Sequence, residues 1–270
     1  MGVVQQKLDI KKIKKELVNS VDTINEDGIV TKTITEYSNN RVKSIANNVF
    51  QNCENLTSVD LSSVETVGDY AFANCSKLSK INIPAVKSIG KESFSYCTIL
   101  TNFSCNSLET VGNSAFKESS KLESFYLPNV KTLSFGCFQV LSKLKSIKLP
   151  SLKTVASSAF YSCYYLETVD LGHVESLNFT DIFYACYSIK QIIIRNTDIV
   201  VPIKSSAFNS CAYIKGEYYY AAHLYTGFNS EELKSGFIYV PDELVESYKV
   251  ATNWATYADQ IKPLSEYVEV

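Results

Sequence analysis

Eight phenylalanines, Phe50, Phe72, Phe94, Phe116, Phe138, Phe160, Phe183 and Phe208, follow one another at intervals of 22, 22, 22, 22, 22, 23 and 25 residues. A period of this length, kept over eight units, points to a solenoid in which each unit buries its apolar face only against its neighbours. The rest of the pattern travels with the phenylalanine. Six residues on stand Leu56, Leu78, Leu100, Leu122, Leu144, Leu166, Ile189 and Ile214, and nine on, in the first seven units, stand Val59, Ile81, Phe103, Phe125, Ile147, Val169 and Ile192. Eleven on, Leu61, Ile83, Cys105, Leu127, Leu149, Leu171 and Ile194 complete an L-x-x-I-x-L segment. Its last apolar residues alternate with polar ones, as in a strand half buried on one face. Pro84, Pro128 and Pro150 close three of these strands, where the missing N–H costs no ladder bond. A second apolar pair follows, for example Val64 and Val67 or Val86 and Ile89. A small residue and the next phenylalanine then predict a short helical or 3₁₀ turn. Stacked units would set their strands about 4.8 Å apart in one parallel sheet.

Three residues after the phenylalanine comes a column of cysteines: Cys53, Cys75, Cys97, then Ser119 and Leu141, then Cys163, Cys186 and Cys211. Serine and leucine in the middle units are tolerable in a small buried slot but not in a metal or disulfide framework. In a ladder the Cβ vectors run parallel and do not face each other, which works against bridges between rungs. No C-x-x-C pair occurs, and Cys105 and Cys137 fall on other apolar columns. The column reads as packing. Reduced thiols suit either a reducing compartment or an anaerobic exterior.

Composition narrows the function. Hydrophobic residues make up 46% of the 270, enough for a large core, and the formal net charge of -2 supplies no basic field to attract nucleic acid or an anionic membrane. No apolar run approaches the roughly 18 residues of a membrane span. The start, MGVVQQKLDIKKIKKEL, lacks a continuous apolar core and a small-residue cleavage site. It does not read as a signal peptide. The expectation is a protein that stays inside, leaves by another route, or has lost its leader.

The stretch VETVGDYAFANCSKLSKINIPAVKSIGKESFSYC joins these elements and resembles the BspA-like leucine-rich repeat family, found in surface proteins of gut and oral bacteria. The resemblance covers residues 41 to 215, with departures at Ser119, Leu141 and the longer unit before Phe208. It implies an α/β fold: a right-handed leucine-rich-repeat solenoid with a parallel β-sheet on its concave face and short helical or 3₁₀ turns opposite. It further implies adhesion or protein recognition without catalytic residues or cofactors, and a cell-surface or extracellular location. It names no ligand.

The ends differ from the repeats. In residues 4–24, Ile10, Ile13, Leu17 and Val21 lie at helical spacing around Lys11, Lys12, Lys14 and Lys15. This amphipathic helix is either an N-terminal cap with a solvated lysine face or a membrane- or partner-docking element. Residues 28–37 then alternate as a strand that could start the sheet. After Cys211 the period is lost. The tail predicts a strand ending at Pro241, Asp242 as a helix N-cap, and an apolar stripe through Leu244, Val245, Tyr248 and Ala251, continued by Trp254, Tyr257 and Ile261. It resembles C-terminal segments of repeat proteins from gut bacteria and their phages. The organisation expected is a cap at 1–40, about eight units at 41–215 and a cap at 216–270.

Catalysis finds little material. His173 and His223 come with no nucleophile or metal spacing, and there is no phosphate loop, G-x-G-x-x-G or G-x-S-x-G motif. Asp60 and Asp170 share a strand column five units apart, about 24 Å, too far for paired-carboxylate chemistry. Binding has more. The outward columns eight and ten residues after each phenylalanine put Lys80, Asn102, Tyr126, Lys148 and Asp170 on the expected concave face. Of 18 tyrosines, 14 lie from Tyr161 onward, and Tyr161, Tyr164, Tyr184 and Tyr187 cluster near the turns of two successive units. Such an edge suits recognition, or it lines the junction with the cap. The reading is a non-enzymatic module for a protein or glycan partner, with no nucleic acid, no cofactor and no membrane. Its rivals are a phage tail-associated component and an intracellular scaffold.

Overall fold

The structure is a computed structural model, and it describes residues 34–208, 210, 211, 214 and 235–269. The N-terminal amphipathic helix, residues 28–33 of the expected strand, His223 and the run Tyr218 to Tyr220 lie outside the described residues. Among the described residues fifteen short strands are numbered in chain order, and every pairing between them is parallel. They form a β-solenoid.

Two ladders run side by side along its length. The first takes the predicted strands: β1 (Glu36–Ser38), β3 (Ser58–Asp60), β5 (Lys80–Asn82), β8 (Ser124–Tyr126), β10 (Ser146–Lys148), β12 (Thr168–Asp170) and β13 (Gln191–Ile193). The second takes the second apolar pair of each unit: β2 (Ser44–Ile45), β4 (Thr66–Val67), β6 (Ser88–Ile89), β7 (Thr110–Val111), β9 (Thr132–Leu133) and β11 (Thr154–Val155). Pairing in register at the repeat spacing, Ser58 with Lys80 and Ser44 with Thr66, returns each side chain to its own column in the next unit. The first ladder is interrupted once. At residues 101–105 no strand forms, and the sheet divides into β1-β3-β5 and a six-stranded group beginning at β8. In this unit the ring of Phe103 stands edge-on to Phe94 and Phe116 at 5.5 and 4.7 Å, and the second ladder passes through unbroken.

The phenylalanine segment is a third ladder, made of turns closed by i→i+3 bonds such as Gln51 N–H to Asn48 O and Cys53 N–H to Phe50 O. From Phe50 to Phe183, the residues two before and two after each column phenylalanine take positive φ, for example Asn48 and Asn52 at 62° and 60°, Tyr70 and Asn74 at 55° and 61°. Alternating handedness turns every second amide the same way. Asn48, Phe50 and Asn52 therefore donate to Asp69, Ala71 and Ala73 of the next unit at 2.8 to 2.9 Å, and the arrangement repeats through Phe160. Asparagine tolerates this conformation well, whereas Val140, at φ 60°, is held there against the preference of a β-branched residue.

Inside the ladders, the rings from Phe50 to Phe183 stack with centroids 5.1 to 5.8 Å apart and planes within 11°. All are buried. The cysteine column lies beside them. All eight cysteines are buried and none is in a disulfide. Packing is half of their role: Cys75, Cys97, Cys163 and Cys186 each donate Sγ–H to the carbonyl of the phenylalanine one unit back, at 2.9 to 3.2 Å. Ser119 Oγ makes the same bond to Phe94 O at 2.6 Å, so serine replaces cysteine in chemistry as well as in size.

The C-terminal segment extends the first ladder. β14 (Phe237–Val240) pairs with β13, and β15 (Ile261–Pro263) pairs with β14. Ile261, expected on a helix, is thus in a strand, and Pro263 ends it at the sheet edge, where its missing donor is harmless. Between them lies a short α-helix, α1 (Val245–Val250), with the 3₁₀ turns Asp242–Leu244 before it and Ala255–Gln260 after it. Asp242 does not cap it, because its carboxylate accepts the Ser265 amide at 3.0 Å. The segment also closes the ring stack: Trp254 and Tyr257 flank Phe208 at 5.9 and 5.3 Å. Tyr248 Oη accepts the Val201 amide at 3.0 Å and Trp254 Nε1 donates to the Val201 carbonyl at 2.6 Å.

Two predictions follow from the columns. Cys75→Ser keeps the bond to Phe50 O and will stay within about 1 kcal/mol of the parent, whereas Phe72→Ala opens the ring stack and will cost about 3 to 5 kcal/mol. Equal losses in denaturant melts would contradict this account. Burial raises the Cys97 thiol to about 12 and lifts Cys75, Cys137, Cys186 and Cys211 as well. The folded chain therefore keeps protons that unfolded thiols release above about pH 8.5. Stability will be full below that pH and fall as pH rises toward 12, with a shallower fall in Cys97→Ser; identical slopes would count against the thiols as its cause.

Candidate functional site

The outward residues of the first ladder form one face, and their exposure changes along it. Asp60, Lys80, Asn82, Asn102, Ser104, Ser124 and Tyr126 are exposed, Ser146 and Lys148 are half-buried, and Asp170 and Ile193 are buried. Two grooves lie on this face. One is lined by residues of β1, β3 and β5, among them Glu36, Asp60, Lys80 and Asn82. There Asn82 Nδ2 donates to Asp60 at 2.9 Å. The other, of about 580 Å³, crosses β8, β10 and β12 and is lined by Ser124, Tyr126, Ser146, Lys148, Pro150, Asp170, Arg195 and Glu269.

The second groove collects three of the five face residues expected from the sequence, Tyr126, Lys148 and Asp170. Lys80 belongs to the other groove, and Asn102 sits in the interrupted unit between them. The strand register puts Tyr126, Lys148 and Asp170 directly side by side. Tyr126 presents its ring to solvent at 55% exposure. Asp170 is not open to a ligand. It is 4% exposed and takes a two-pronged contact from Arg195, with Nε at 3.0 Å and Nη2 at 2.7 Å from Oδ2. Its other oxygen also accepts the Gly172 amide at 3.0 Å. Gly172 holds a φ of +52°, and a Cβ there would stand 2.3 Å from Leu149 O, so glycine is required beside the pair. The Asp170 hydrogen bond raises the Arg195 pKa, and the cation is permanent at any working pH.

Sequence reasoning missed Arg195 and Glu269. Arg195 follows the 23-residue interval and falls just beyond the regular columns. Glu269 reaches Lys148 of β10 from the end of the chain and pairs with it. The sole sequence signal for either was a charge without a partner at period spacing.

The tyrosine edge divides differently from its expectation. Tyr161 stacks on Tyr184 at 4.9 Å, and Tyr164 on Tyr187 at 6.0 Å. Tyr187 is buried, whereas Tyr184 and its neighbour Tyr165 are 37% and 42% exposed. Lys143 lies 5.4 Å over the Tyr165 ring.

His173 stands in an exposed turn. Among the described residues no group of three histidines, cysteines or carboxylates could hold a metal ion, and no helix is long and apolar enough to cross a membrane.

Short parallel rungs, leucine-type columns and an open strand face define a leucine-rich repeat solenoid. The chain matches the BspA type Leucine rich repeat region in six copies, over residues 31–139 and 109–223, and it belongs to that family. It is similar to a solved leucine-rich repeat protein from Bacteroides ovatus, at 22% identity over 81% of this chain and 69% of that one, with a TM-score of 0.45. The T. pallidum leucine-rich repeat protein is 24% identical over 70% of this chain and 85% of its own, with a TM-score of 0.48. One from Eubacterium ventriosum is 18% identical over 73% and 66%, also at 0.48. No curated protein matches the chain. Repeat proteins of this family are generally protein-interaction or surface modules.

Asp170→Ala will leave Arg195 without its counter-charge. The expected loss is on the order of 2 to 3 kcal/mol, less than for a fully buried pair because the arginine keeps 34% of its side chain in water. A melt unchanged from the parent would show that the pair contributes nothing.

Proposed function

We propose that this protein is a non-catalytic recognition module, acting at a cell surface, that binds a protein or glycan partner through the strand face across β8, β10 and β12. The observation that carries this reading is the groove itself. It joins an exposed tyrosine, two serines and two cations on a rigid sheet whose side chains are fixed by register. Aromatic and cationic groups on a preorganised surface are the common anchors of interfaces. Holding a partner is the chemistry such a face offers.

Screening the purified chain against host-protein and glycan arrays tests the proposal, with Tyr126→Ala/Lys148→Ala and Tyr165→Ala/Tyr184→Ala beside the parent. The second pair lies on the turn edge, where both rings are exposed and their truncation leaves the core alone. A binder lost at least tenfold in the first variant and kept in the second supports the strand face. Binding lost in the second variant instead would move the site to the turn edge, and an array with no binder would overturn the recognition reading.

A further inference from the structure

The chain does not stop at the sheet edge. After β15, the 3₁₀ turn Leu264–Glu266 is followed by Tyr267, which packs on Tyr239 of β14 with ring centroids 5.1 Å apart. Two residues later Glu269 pairs with Lys148 of β10. Between β14 and β10 stand β13 and β12, so the tail covers three rung spacings, about 14 Å. It therefore lies across the strands, along the solenoid axis, on the face that holds the groove.

We propose that this groove is a docking site for an extended acidic peptide segment of a partner protein, and that Glu269 occupies it as an internal competitor. The inference rests on the recognition reading and names the partner's chemistry.

Three observations carry it. The occupant already present is acidic: Glu269, held by a tail that Tyr267 anchors on Tyr239, puts its carboxylate on the groove lysine, while Glu266 pairs with Lys262 of β15. The groove holds more positive hydrogen-bonding capacity than the tail uses. Arg195 gives Nε and Nη2 to Asp170, and among the described residues nothing accepts from its Nη1. A carboxylate two rungs from Lys148 would find that donor, and planar guanidinium groups suit carboxylates.

The tail is also lightly held. Val268 is 73% exposed, and the Glu269 side chain keeps 68% of its surface in water. An ion pair this open is weak and screened by salt. Tyr126, 55% exposed at the far side of the groove, offers a longer segment an aromatic anchor. A tethered tail acts at a millimolar effective concentration, so it suppresses weak acidic peptides and yields to one that also engages Arg195 and Tyr126.

The test uses the full chain and a fluorescein-labelled LSEYVEV peptide as probe, read by fluorescence anisotropy. The variant Tyr267→Ala/Glu269→Gln is expected to bind the probe about tenfold more tightly than the parent, the factor by which a tethered competitor at such a concentration masks a weak ligand. Adding Lys148→Ala should erase the gain, LSQYVQV should not bind, and salt should weaken what binding there is. Glu269→Arg, which spares the packing on Tyr239, repeats the test should the double variant melt early. Equal affinity in parent and tail variants, or a gain that survives Lys148→Ala, overturns the inference. So does a concentration-dependent dimer in which tails exchange between copies, since the occupant is then a second chain. An array partner held through Tyr126 and Lys148 yet not displaced by LSEYVEV overturns the acidic-peptide inference and leaves recognition standing.

Discussion

The distance from one rung to the next, about 4.8 Å in a parallel ladder, is the constraint on which the rest of this protein depends. Three ladders impose it: two of strands and one of turns whose amides donate to the following unit. A phenyl ring held at that spacing has to lie nearly parallel to the next, and the core rings do, with planes within 11° from Phe50 to Phe183. Stacking in turn requires the same residue at the same place in every unit, which is why the period is so strict in the sequence. The exception is the unit of Phe103, where the first ladder lapses and the other two carry the solenoid past it.

Much of this was legible from spacing alone, because a column in a ladder is a column in the aligned sequence. The first ladder, the ring stack and the burial of the cysteines were all visible as recurring residue types. The second ladder was not, since two-residue strands such as Thr66–Val67 are too short to show alternation. Left-handed turn positions were hidden because asparagine, tyrosine, glutamate, serine and valine all occupy them. Their conformation is dictated by hydrogen bonds to the next unit and leaves little mark on residue choice. Asp242 misled for a related reason: its side chain had two amide groups within reach, and the Ser265 amide, brought near by β15, won over the start of α1.

The site was half legible. Tyr126, Lys148 and Asp170 share a face because their columns do, yet the sequence gives no sign that Asp170 is committed to Arg195 and buried with it. Arg195 lies two residues beyond Ile193, the register partner of Asp170, and reaches back to it past the end of the strand. The tail shows the limit of periodic reasoning most plainly. Nothing in a repeat predicts where a non-repeating segment will lie, and Glu269 meets Lys148 across 121 positions of sequence.

The covering of the strand face is nonetheless a physical necessity at one end. Toward the C-terminus its outward column turns from polar to apolar, ending in Ile193 and Tyr239, which are 0% and 8% exposed. A sheet face bearing those side chains would present a hydrophobic patch if left open, so some segment has to cross it. Tyr267 does so by packing on Tyr239. Beyond that anchor the tail runs toward β10, where Glu269 pairs with Lys148. The face is thus graded along the solenoid axis: apolar under the tail, charged at the Asp170–Arg195 pair and Lys148, then neutral and open from Ser124 and Tyr126 to Ser104 and Asn102. A ligand lying along the axis would meet those three chemistries in order, and one lying parallel to the strands would meet one of them. The direction of the tail is therefore also the direction in which this surface can discriminate between partners.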